Sequence, residues 1–82
     1  MTADEVYAKL RALNPQGRSD QMRIYAGAYV TYREAETNIA ERGAINSHPR
    51  TGSPIENPYL KVRSGAAATL KKIRLKTGDL WD

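Results

Sequence analysis

Apolar positions recur with a helical period over most of the chain. Val6, Leu10 and Leu13 fall on one face of a short first helix over residues 3–13. Thr2-Ala3-Asp4-Glu5 ahead of them forms a capping box: the Thr hydroxyl accepts from an early backbone N–H, and Glu5 reaches back. Asn14-Pro15-Gln16-Gly17 stops this helix, because Pro cannot continue the ladder and Gly permits a left-handed cap. A second helix is predicted from Ser19 or Asp20 to Gly43. Met22, Tyr25, Tyr29, Tyr32 and Ile39 follow a helical rhythm, and Ile24, Ala28 and Ala35 broaden the face. Glu36 interrupts that stripe, which points to a polar contact inside an interface. The helix would reach roughly 35 Å at 1.5 Å per residue. That length in so short a chain points to a role in an assembly.

Residues 44–56 carry turn chemistry throughout, with two Pro, one Gly and several small polar side chains. The expectation is a loop or a short two-stranded hairpin, with Ile45 and Ile55 on its inner side. Asn57-Pro58 then opens a third helix, Asn as cap and Pro at the first helical position. This helix is predicted over about 58–77, ended by Gly78, with Asp79-Leu80-Trp81-Asp82 as a tail. The chain is thus read as one small, mainly α domain over 1–82. Its parts are an N-terminal helix and turn (1–18), a long helix (19–43), a loop or hairpin (44–56), a basic helix (57–78) and a tail (79–82). The architecture expected is two to three helices, with a long antiparallel pair joined by the loop or hairpin, assembling as an oligomer.

Composition narrows the function classes. A chain of 82 residues, 40% apolar and with no Phe, has too little core to enclose a deep pocket. Absence of Cys excludes disulfides, thiolate metal sites and a cysteine nucleophile, and fits the cytoplasm. One His excludes a multi-histidine metal site. No apolar run approaches the roughly 20 residues of a membrane span, so no membrane partner is expected. The acidic N-terminus lacks a signal-peptide core.

The net charge of +4 is unevenly spread. Residues 1–56 hold seven bases and seven acids. Residues 57–77 hold Lys61, Arg63, Lys71, Lys72, Arg74 and Lys76 with no acid at all. On a continuous third helix Lys61, Lys72 and Lys76 cluster on one side, opposite a stripe of Tyr59, Val62, Ala66, Leu70 and Ile73. Arg63 and Arg74 border that stripe. Leu60, Ala67, Ala68 and Leu75 make a second, weaker apolar strip, which predicts two packing partners. One reading of the lysine face is phosphate neutralisation, with salt-dependent, sequence-independent affinity. The other is a solvated face whose C-terminal Lys complement the helix dipole.

Nothing in the chain carries a catalytic constellation. His48 sits before Pro49 with no Ser, Asp or Glu at a diagnostic spacing, and is read as structural. Tyr25, Tyr29 and Tyr32 follow helical spacing, which favours packing over a base-stacking platform. Glu34, Glu36 and Glu41 are read as solvated charges. Leu80-Trp81 between Asp79 and Asp82 is either an exposed apolar anchor for a partner or a tail folded back on its own domain.

The order of these signals resembles the small subunits of phage terminases, in the branch found beside HNH endonucleases in tailed-phage packaging modules. The resemblance covers about residues 20–78. It lies in a long helix bearing Tyr25, Tyr29, Tyr32 and Ala35 and ending at Gly43, the link Thr51-Gly52-Ser53, then Asn57-Pro58-Tyr59-Leu60, Leu70, Ile73 and Gly78. The sequence departs from the family pattern after Gly78, where Asp79-Leu80-Trp81-Asp82 stands in place of a Thr-Pro and a later Arg.

What the resemblance implies is a non-enzymatic packaging factor without cofactor, working in the cytoplasm of a bacterial host. It implies a ring-forming homo-oligomer that engages double-stranded DNA and recruits or regulates the terminase large subunit. The DNA contacts expected are Lys61, Lys71, Lys72 and Lys76, with Arg63 and Arg74 beside them, and Leu80 and Trp81 as a partner contact. A small dimeric helical DNA-binding regulator is the alternative.

Overall fold

The computed structural model describes residues 1–43, 45–47 and 54–82. Three helices and a short hairpin follow in the order α1 (Ala3–Leu13), α2 (Ser19–Arg42), β1 (Ile45–Ser47), β2 (Pro54–Glu56) and α3 (Tyr59–Lys72). The capping box closes as expected: the Glu5 amide donates to Thr2 Oγ1 at 3.2 Å, and the Thr2 amide to Glu5 Oε1 at 3.1 Å. The two Thr2 groups hold the Glu5 carboxyl below its ordinary range, the backbone N–H contributing most. α2 ends at Gly43, whose φ of +84° suits a residue without Cβ and whose amide donates to Ile39 O at 2.7 Å.

α1 packs on the first half of α2, and α3 runs back along it. Val6 and Leu10 of α1 meet Met22, Tyr25, Ala26 and Tyr29 of α2, and Leu80 completes this cluster. Tyr7, Val30, Leu70, Ile73, Leu75 and Trp81 pack around it. The core therefore gathers at one end of the molecule. The second half of α2, the hairpin and the start of α3 form an arm, where the buried apolar side chains among the described residues are Ala35 and Ala66. The chain extends 54 × 20 × 17 Å, with a radius of gyration of 15.5 Å. A compact domain of this length would have about 12 Å.

Three expectations need correction. The third helix stops at Lys72, not near 77, because Ile73 turns extended at φ −106°, ψ 121°. Side chains of an extended segment alternate. Ile73 and Leu75 therefore reach the core cluster while Arg74 and Lys76 stay exposed. Asn14 fixes this segment like a strand partner: its Nδ2 donates to Lys76 O at 2.9 Å, and the Lys76 amide donates to its Oδ1 at 2.9 Å. Gly78 belongs to the turn that follows, with φ +54° and Leu13 Cδ1 only 3.1 Å from where a Cβ would stand.

The two apolar strips of the third helix also divide differently. Tyr59 and Val62 are exposed, whereas Leu60 and Ala67 of the weaker strip are half-buried beside Ala66 and Leu70. Finally, β1 and β2 pair antiparallel as Ile45↔Glu56, Asn46↔Ile55 and Ser47↔Pro54. That register places Ile45 and Ile55 on opposite faces. Neither lies on an inner side: Ile45 is 62% exposed and Ile55 39%. His48 and the link Thr51-Gly52-Ser53 lie outside the described residues.

Candidate nucleic-acid interface

α3 begins where Asn57 bolts it to the end of α2. Asn57 is 1% exposed, and its side chain meets three partners. Its Nδ2 donates to Asn38 Oδ1 at 3.0 Å and to Gly43 O at 2.9 Å, and its Oδ1 accepts from the Tyr59 amide at 2.9 Å. A buried amide with these bonds met is stable; with them broken it is costly. This anchor orients the basic helix.

Lys61, Lys71 and Lys72 stand exposed on α3, and Arg63 is half-buried. Lys61 and Lys72 are three turns apart on the same face, roughly 16 Å at 1.5 Å per residue. Ser64, Gly65 and Ala68 between them are exposed and small. Lys71 and Lys72 occupy the last turn, where positive charge also complements the helix dipole. Arg74 and Lys76 belong to the extended segment, so they do not join Lys61 and Lys72 in one row. Instead they line an open cavity of about 500 Å³ with Arg18 and the 14–17 turn. Among the described residues none of the six bases expected to meet DNA makes an ion pair. The salt bridges found join Lys9–Asp79, Arg18–Asp20, Arg23–Asp4 and Arg33–Glu36.

The tail is closed down, not exposed. Leu80 is 4% exposed, inside the core. Tyr29 Oη donates to Leu80 O at 2.7 Å, and Trp81 Nε1 donates to Tyr25 Oη at 3.0 Å. The Trp81 ring stands edge-on to Tyr29 and Tyr32, at 4.7 and 5.6 Å between centroids. Arg33 donates to Tyr29 Oη at 3.3 Å, and this bond, more than Glu36, raises its already high pKa. The expectation of an exposed Leu80-Trp81 anchor is corrected in favour of the folded-back tail. The spaced Tyr residues are what hold it.

A second open groove, of about 810 Å³, runs along the arm between Met1 and Tyr59. Its charges are mixed, with Arg33 and Arg42 beside Glu34 and Glu41. Among the described residues no cluster of side chains has a metal-binding arrangement.

The model of the phage terminase small-subunit family matches residues 4–78. The chain belongs to that family. Neither curated proteins nor solved structures yield a further relative. The match takes in α1 as well as the 20–78 stretch that carried the resemblance. Membership gives this terminase small subunit a coarse role in phage DNA packaging, in a family whose members are generally regulatory and not catalytic. Among its described residues, no helix is long and apolar enough to cross a membrane. Arg18, not among the bases expected at the interface, lines the same cavity as Arg74 and Lys76. Its proximity to Arg74 and Lys76 depends on α3 ending early. The alternation Ile73-Arg74-Leu75-Lys76, apolar then polar, is the signal that would have found it.

Proposed function

We propose that this terminase small subunit is a non-catalytic, homo-oligomeric packaging factor of a tailed phage, prophage or gene-transfer particle. It engages double-stranded DNA through phosphate contacts and recruits or regulates the large subunit in the bacterial cytoplasm. The observation that carries this reading is the stretch from Lys61 to Lys76: six bases without an acid and without an ion pair among the described residues. Uncompensated cations on an exposed surface attract a polyanion and release its counterions. Self-assembly is supported by the arm, which leaves Ile45, Ile55, Tyr59 and Val62 uncovered.

Fluorescence anisotropy with a labelled duplex across a salt titration tests the DNA contact. Lys61→Glu with Lys72→Glu is expected to weaken binding and flatten the salt dependence by about one unit for each phosphate no longer neutralised, with helicity unchanged by circular dichroism. Binding equal to wild type at every salt concentration removes the lysine face from the mechanism. Native mass measurement tests the assembly: a closed ring of many copies supports the packaging reading. A dimer with tight operator binding supports the regulator instead.

A further inference from the structure

The cavity between the 14–17 turn and the extended segment after α3 draws its bases from opposite parts of the chain. Arg18 comes from the start of α2, Arg74 and Lys76 from beyond α3, and Gln16 and Gln21 add neutral polar groups. No carboxylate lines it. The two walls are tied by the paired bonds between Asn14 and the Lys76 backbone. With Ile73 and Leu75 packed against the core, the alternation leaves Arg74 and Lys76 facing outward. The backbone beneath these two bases is therefore set before any ligand arrives.

The charge is neutralised locally only in part. Arg18 Nη2 meets Asp20 Oδ2 at 2.9 Å, and that carboxylate is held ionised first by the Gln21 amide and then by Arg18 itself. Arg74 and Lys76 have no acidic partner among the described residues. Three cations from two segments, with one acid between them, leave a positive, solvent-open hollow. The ligand chemistry that fits is a phosphate. Its oxygens accept from several donors at once, and a guanidinium fork meets two of them.

We propose that this cavity seats one backbone phosphate of duplex DNA, as a contact separate from the lysine face of α3. The proposal rests on the DNA-engaging role given above and adds a second point of attachment. DNA is then gripped at both ends of the basic stretch, by Lys61 towards the arm and by Arg74 and Lys76 at the core.

The test uses the full chain carrying Arg74→Gln with Lys76→Gln, whose helicity and Tm are checked against wild type. Both side chains are exposed, so the fold is expected to survive. In duplex titrations the salt slope is expected to fall by about one, and the loss in log affinity to add to that of Lys61→Gln with Lys72→Gln. A slope and affinity equal to wild type overturn the cavity contact while leaving the lysine face standing. A wild-type chain that binds no duplex at any salt concentration overturns the DNA role and the DNA source together. The cavity itself is read separately, by adding inorganic phosphate to 15N-labelled protein and following the Gly17 and Ser19 amides. Shifts in wild type that vanish in the variant support the phosphate site, and unmoved amides overturn it.

Discussion

The two ends of this molecule hold together by different means. At the core end three layers meet, and Val6, Leu10 and Met22 are sealed from water. Each such side chain contributes about 1.5–3 kcal/mol through burial. In the arm the buried apolar side chains among the described residues are alanines, and position is set by the Asn57 amide with its three hydrogen bonds. Burial without direction makes the core end stable. Directed polar bonds make the arm well placed but thinly stabilised. Large apolar groups that would fill a core elsewhere stand uncovered there. One chain thus joins a part held by apolar burial to a part held by directed polar bonds.

The contrast breaks most visibly at Leu10. Leu10→Ala should cost about 2–5 kcal/mol, read as a lower midpoint in urea. The same truncation at Ile45, exposed in the arm, should stay within about 0.5 kcal/mol. Equal losses at the two sites would end the distinction. Asn57→Ala comes next, at about 1–3 kcal/mol from stranding buried partners. Its effect should be local: amide exchange should quicken in the hairpin and first turn of α3, while Leu10 and Tyr25 stay protected. Uniform acceleration across both ends would show one cooperative unit. The smallest effect sharpens the core end alone. Glu5 has a folded pKa below its unfolded value, so its capping contribution is full above the ordinary carboxyl range and is lost as pH falls through the depressed value. Protection at the start of α1, taken against the intrinsic exchange rate at each pH, should therefore fall with acid in wild type. In Glu5→Gln that protection should be nearly flat over the same range.

Periodicity revealed the core end well, because α1 and α2 satisfy their own local rules. Thr2 and Glu5 cap, Gly43 terminates, and the Val6-Leu10 face finds the Met22-Tyr25-Tyr29 face. The hairpin was legible from Pro and Gly, but not the exposure of Ile45 and Ile55, since a local turn pattern does not say what packs over a two-stranded sheet. The end of α3 was misread for a related reason. Lys71 to Lys76 suits a helix by propensity, yet Asn14, far away in sequence, offers Lys76 a strand-like partner, and the core favours Ile73 and Leu75 in alternation. The same tertiary choice split the expected row of bases into two groups. Local pattern located the charge; only the remote turn decided how it is distributed in space.

The location of Leu80 has a further consequence for biogenesis. This side chain belongs to the buried cluster that unites α1 and α2. During translation, Val6, Leu10 and Met22 are made early and lack their final neighbour until residues 80 and 81 have cleared the ribosome tunnel. Until then these side chains keep part of their apolar surface open to water. The core end is therefore sealed only after α1, α2 and α3 have all been made.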